Sequence, residues 1–204
     1  MTARLRHDAT AIEREVRRLA AEVSADHPDG LVLVALLPDA LHLAIDLLRW
    51  ATVPVEISTM LLSPYSPGTG RVRVELDLDV DVSGRRVVLA TGAVDTGLRG
   101  GWVANELRRR MAASVRHCAV VDRPRRRIVP IVPDYVGFVT DDDLLVGYGL
   151  DLAGRGANLP ALVAWAGRRP PDDPAAAVEA CFRLVRPPVT GSDGRSDTAT
   201  AVLP

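Results

Sequence analysis

The chain has 204 residues, 48% of them apolar, and a formal net charge of −1. That length supports one domain with a sizeable core plus appendages, and the near-neutral balance removes any general electrostatic case for nucleic acid or an anionic membrane as partner. Two cysteines exclude a disulfide framework. With neither a leader nor a long apolar span read in the chain, the expectation is a soluble, cytoplasmic protein.

Residues 10–25 place Ile12, Val16, Leu19, Ala20 and Val23 at helical spacing with Arg and Glu between them, which predicts an amphipathic helix. Residues 31–37, LVLVALL, form a continuous apolar run of strand length, as expected of a strand covered on both faces. Pro38-Asp39 ends it, and Asp39 is placed to cap a helix over residues 40–50, with His42 in its first turn. His42 reads as a core or rim residue, with a ligand contact at the strand's carboxyl end as the alternative.

A second strand is expected over residues 53–62, followed by a turn-rich loop, SPYSPGTG, at 63–70. The alternation of Val72, Val74, Leu76 and Leu78 with charged residues predicts a half-exposed strand over 71–79. Asp77, Asp79 and Asp81 share one face of it, and a solvated strand edge is favoured there over a cation site.

The organising stretch is VVLATGAVDTGLRGG, residues 87–101. A β-branched run meets a turn at Asp95, Thr96 and Gly97, and Val103, Leu107, Met111 and Val115 then follow helical spacing, predicting a helix over 101–115. Unpaired amides and the dipole at a helix start suit a phosphate, although a plain strand-to-helix connection looks much the same. Further strands are expected at 117–121, 132–139 and 144–150, a short helix at 173–185 and a flexible tail at 187–204. The basic run 123–127 reads as a solvated loop. Alternating strands and helices imply an α/β fold with a mainly parallel twisted sheet flanked by helices. Ligands in such sheets sit at the carboxyl ends of strands, which gathers Pro38-Asp39, residues 91–99, Arg123 and Asp151 around one site.

Over about residues 31–162 the chain resembles the hypoxanthine-guanine phosphoribosyltransferases of purine salvage, with a type I phosphoribosyltransferase fold. The resemblance is carried by Ser83-Gly84-Arg85, Val94-Asp95-Thr96-Gly97-Leu98, Asp134-Tyr135-Val136-Gly137-Phe138, Val146-Gly147-Tyr148-Gly149-Leu150-Asp151 and Asn158-Leu159-Pro160. It implies Asp95 as the acid/base group near the purine, and Thr96, Gly97, Arg99 and Gly100 around the ribose 5′-phosphate. Arg123 stands for a lysine that bonds the purine's exocyclic oxygen, and Asp151 for an acid near the base and the metal. Leu144 and Leu145 replace an aromatic wall on the base. The departures fall on the donor side. A Glu-Asp pair that binds the ribose hydroxyls is Thr91-Gly92 here, a Lys-Gly-type pair at pyrophosphate is Pro38-Asp39, and an arginine before Asn-Leu-Pro is Ala157. The Ser-Tyr of the closing loop is Pro64-Tyr65.

Removing one preorganised donor to developing charge typically costs about 2.7–4 kcal/mol, so these changes together predict weakened phosphoribosyl diphosphate (PRPP) chemistry. The expectation is therefore a phosphoribosyltransferase homologue repurposed for a less charged ligand, as in specialised metabolite biosynthesis, with Asp95 as acid/base. Its nearest polar neighbours are expected to be Arg99, Arg123, His42, Asp151 and Tyr65. The alternatives are a genuine purine or heterocycle phosphoribosyltransferase using PRPP, and a non-catalytic nucleotide-binding protein. Mg²⁺ is expected only if PRPP is used. The partner is a small molecule, without nucleic acid or membrane, in a homo-oligomer. Domain limits are expected at 1–166 for the transferase-like unit, 167–186 for a helical extension and 187–204 for the tail.

Overall fold

The structure is a computed structural model that describes residues 3–63, 73–141, 144–165 and 172–185. Its elements are β1 (Ala3–His7), α1 (Ala9–Asp26), β2 (Leu31–Leu37), α2 (Leu41–Trp50), β3 (Val55–Leu62), β4 (Val74–Leu76), β5 (Arg86–Val94), α3 (Leu98–Arg109), β6 (Ser114–Asp122), a 3-10 turn at Pro124–Arg126, β7 (Tyr135–Val139), β8 (Leu144–Val146), β9 (Leu162–Trp165) and α4 (Pro174–Val185).

The main sheet runs in the order β4-β3-β2-β5-β6-β7, parallel except for the antiparallel edge strand β4. Strand β2 is buried on both faces, and its alternate residues divide the core in two. Leu31, Leu33 and Ala35 pack with Leu19 of α1 and Leu43 and Leu47 of α2. Val32, Val34 and Leu36 face Val103, Ala104 and Leu107 of α3. This is why an uninterrupted apolar run forms the centre: a strand covered by helices on both faces has no polar side.

Parallel strands need crossovers, and here the chain leaves β2 toward β3 on one side and toward β5 on the other. The adjacent strands β2 and β5 therefore lie at a topological switch point, and a crevice at their carboxyl ends is lined by Pro38, Asp39 and the loop after Val94. A second, antiparallel sheet, β1-β9-β8, closes the fold above it, and α4 packs Ala177, Val178 and Cys181 onto Val163 and Trp165. No helix among the described residues is long and apolar enough to cross a membrane.

Three expectations are corrected. The helix after the organising strand spans Leu98–Arg109, not 101–115. Gly97, at φ 81°, starts it early; Met111, at φ 62°, sits in the turn that ends it, and Val115 pairs with Val87 in the sheet. The apolar spacing had run unbroken across a helix, a turn and a strand. Among the described residues of the expected strand over 71–79, only Val74–Leu76 is strand, because Asp77 and Asp79 turn to separate partners, the Arg110 guanidinium and the Ser58 hydroxyl. The basic run is not a solvated loop, since its side chains build part of the cleft described below.

Candidate active site

Strand β5 delivers its last residues into a cleft of about 620 Å³ at the switch point. The loop that follows is fixed from several sides. The Thr96 carbonyl accepts from the amides of Ile128 and Val129 at 2.9 and 3.0 Å, and its hydroxyl accepts from the Leu98 amide at 3.3 Å. Gly97 is required in two ways: its φ is left-handed, and a Cβ there would lie 2.4 Å from the Ile131 side chain. The first bond of α3 runs from Gly101 to Gly97, so the amides of Arg99 and Gly100 precede it. A helix start opening on a concave surface is an anion site by its geometry.

Asp95 projects at the same place, half-buried. Its carboxylate pairs with Arg123 at 3.1 Å and Arg126 at 3.5 Å. The Arg123 side chain is only 6% exposed, so this is a largely desolvated cation matched by a specific anion. Arg127 holds the main chain beneath, donating to the carbonyls of Val94 at 2.9 Å and Asp95 at 2.6 Å while pairing with Asp122. Three arginines of the basic run thus fix the acid/base candidate, and Arg125 pairs outward with Asp141 at 3.2 Å.

The opposite wall is made by Pro38 and Asp39. Asp39 Oδ1 is shielded from solvent without a hydrogen bond and lies 3.7 Å from Arg99 Nη1. Desolvation pushes the Asp39 carboxyl up, and the Arg99 charge opposes that shift. Arg99 also donates to the Leu37 carbonyl at 3.0 Å, so it bridges the two sides of the crevice. Between the walls, the Thr91 hydroxyl shares a 2.9 Å hydrogen bond with Nε2 of His117. His117 is buried, and desolvation pushes it down to about 4, which keeps it neutral at pH 7. Its ring fills the space of a missing side chain on α3: a Cβ on Gly100 would be 2.6 Å from it. Leu144, Leu145 and Leu150 form an apolar wall, and Asp151 lies on the lining with its carboxylate accepting from the Gly154 amide at 2.7 Å.

The cleft therefore brings together Asp95, Thr96, Gly97, Arg99, Gly100, Arg123, Leu144, Leu145 and Asp151, all expected from the sequence. His42 is not among its lining residues. It faces Tyr148, with ring centroids 5.6 Å apart, and the neighbouring turn at Gly149. Tyr65 lies outside the described residues. Arg126 and His117 were not expected at the site.

A parallel sheet with an antiparallel edge, a phosphate-type loop and a carboxylate after its central strands define the class by architecture: the type I phosphoribosyltransferase fold. No family model matches the chain. It is 34% identical over 153 residues to a hypoxanthine-guanine phosphoribosyltransferase of Bacillus subtilis, covering 73% of this chain and 85% of that one. It is 35% identical over 163 residues to a hypoxanthine phosphoribosyltransferase of Haemophilus influenzae, covering 74% and 91%. Among solved structures, a Bacillus anthracis hypoxanthine-guanine phosphoribosyltransferase superposes with a TM-score of 0.76 at 28% identity, over 80% of this chain and 98% of that one. The chain belongs to the hypoxanthine-guanine phosphoribosyltransferase family.

The family implies Mg²⁺ with PRPP, but this chain's own side chains do not fit a resident ion. Thr91 and Gly92 offer no carboxylate and Asp39 is matched with Arg99, which leaves Asp151 as a lone carboxylate on that side of the cleft. No group of three ligating side chains occurs among the described residues.

Proposed function

We propose that this protein is a phosphoribosyltransferase that moves the ribosyl 5-phosphate group between PRPP and a nitrogen heterocycle of purine size. The observation that carries the reading is Asp95 at the foot of an open helix start, its carboxylate aligned by Arg123 and its backbone by Arg127. A carboxylate held there accepts a hydrogen bond from a ring N–H of the base and takes up or returns that proton as the glycosidic bond forms or breaks. The amides of the first turn of α3 would take the 5′-phosphate. Arg123 supplies a planar donor fork to an oxygen on the base, where a lysine would give a point charge. Leu145 and Leu150 cover the heterocycle without stacking on it.

The relatives from Bacillus subtilis and Haemophilus influenzae, both phosphoribosyltransferases by name, favour this alternative and lend no support to a repurposed role in specialised metabolism. One observation still favours a less charged ligand on the donor side: Asp39, Thr91 and His117 give that wall no free cation. On the proposed reading, residues 1–166 form the transferase unit, 167–186 extend it, and the protein assembles as a homo-oligomer. Turnover tests the proposal. Purified protein with PRPP and Mg²⁺ is expected to release pyrophosphate with at least one base from a panel of purines and related heterocycles, and Asp95→Asn to suppress it. Absence of turnover across the panel would overturn the reading.

A further inference from the structure

Asp39 and Arg99 meet across the cleft, and the main chain of Asp39 is closely packed where they do. The Asp39 carbonyl lies against two glycines from different parts of the chain. A Cβ on Gly92 of β5 would be 2.6 Å from it, and a Cβ on Gly149 would be 2.3 Å from it. The main chain of Asp39 is thus wedged between β5 and the turn at 147–150, which fixes where its carboxylate goes. That carboxylate lines the cleft, its side chain only 17% exposed. From the other wall, Arg99 leans off the first turn of α3 to reach the Leu37 carbonyl and Asp39. Half of its side-chain surface is still open to solvent. A guanidinium at a helix start that opens on a cleft is a phosphate ligand by chemistry, since it can offer two parallel donors to one anion. Here the anion it faces belongs to the protein.

We propose that Asp39 is a resident anion that competes with ligand phosphate for Arg99, and so sets how tightly this cleft takes a phosphorylated ligand. The inference rests on the transferase reading for the identity of that ligand. When a phosphate oxygen approaches, Arg99 exchanges Asp39 for it, and Asp39 loses its matched charge at 3.7 Å. Phosphate binding then bears both the parting of this pair and the repulsion from the carboxylate left behind. The device is specific to charge, so it penalises anionic ligands and leaves neutral ones unaffected. It accounts for a helix start that is open and cationic beside a wall that carries no free cation.

The shared chemistry is a phosphate oxygen, and two sources are separable: a terminal monophosphate and a diphosphate. Calorimetric titration with ribose 5-phosphate and, separately, inorganic pyrophosphate would be run on wild type, Asp39→Asn, Arg99→Ala and the double variant, each checked by thermal melting. Asp39→Asn keeps the size of the side chain and removes its charge. It is expected to tighten at least one probe by about tenfold or more with Arg99 present, and by less than about threefold with Arg99→Ala, because only a freed guanidinium yields the gain. Whichever probe responds identifies the phosphate that Arg99 takes. An equal gain in both backgrounds would mean simple repulsion and overturn the exchange. No gain, or no binding of either probe by any variant, would overturn it as well. Turnover of PRPP with the panel of bases, measured alongside on wild type, reports on the transferase reading whatever the variants do to phosphate affinity.

Discussion

The two walls of the cleft are built on opposite electrostatic plans. On the wall formed by β5, α3 and the turn after β6, Asp95 is matched by Arg123 and Arg126, with Arg127 locked to the carbonyls beneath. Charges there are paired but still face the ligand. On the wall formed by the end of β2 and the middle of β5, the polar groups are turned toward one another: Asp39 to Arg99, Thr91 to His117. The difference teaches that a family site can change by halves. On the proposed reading, recognition of the base and the 5′-phosphate would fall to one loop and one turn and the donor's diphosphate to other segments, which can change without disturbing the first set.

The sharpest way to break this comparison is Asp95→Asn. If the β5–α3 wall carries the chemistry, turnover falls by about 10²- to 10⁴-fold, the usual scale for a general acid–base group; because the variant also leaves the buried Arg123 guanidinium without its matched charge, a thermal melt beside the assay separates lost chemistry from lost stability. Steady-state kinetics with pyrophosphate detection reads it, and a loss below tenfold would move the chemistry elsewhere.

Acid stability probes the other wall. His117 is pushed down to about 4 from an unfolded value of 6.5. Between those values the unfolded chain binds a proton that the folded chain refuses, so stability rises with pH across the window and is level above about 6.5. The full difference is about 3 kcal/mol, to be read as a falling melting temperature from pH 6.5 to 4. His117→Asn is expected to flatten that dependence, and an unchanged slope would show that another group governs it.

Gly97→Ala sharpens the contrast from the backbone side. A Cβ would meet Ile131 and force a residue with a side chain into left-handed φ, costing about 1–3 kcal/mol, with a larger loss of phosphate affinity than of stability. Ligand titration beside thermal melting separates the two. The smallest effect is expected from Arg123→Lys: a change of up to about tenfold in affinity for the base, with affinity for ribose 5-phosphate unaltered. Equal weakening of both would place Arg123 on the phosphate instead.

Much of the first wall was legible in the sequence. A β-branched run ending in Asp-Thr-Gly before a helical spacing announces a strand, a turn and a helix by local rules, though not the helix limits, and parallel topology then places them at the crevice. Arg126 and Arg127 were not legible, because a run of arginines in a Pro-containing segment reads as solvated unless the carboxylates it meets are known. Asp122, partner of Arg127, is five residues away along the chain but buried in the last position of β6. His117 was hidden for a different reason: it sits within an apolar strand pattern, and the one available signal was Gly100, a helix position left without a side chain. Strands β1 and β9 were missed because Ala3–His7 carries three exposed residues out of five and pairs only with a four-residue strand far along the chain. Long-range pairing of short, mixed segments leaves no local period to read.

The measurement that tests the central claim most directly is calorimetric titration of the wild-type protein with guanosine 5′-monophosphate, followed by PRPP with Mg²⁺. On the proposed reading the nucleotide brings one phosphate to the helix start, whereas PRPP must also seat its diphosphate on the altered wall. The account predicts nucleotide binding in the micromolar range and weaker binding of PRPP. Undetectable binding of the nucleotide, or PRPP binding tighter than the nucleotide, would contradict it.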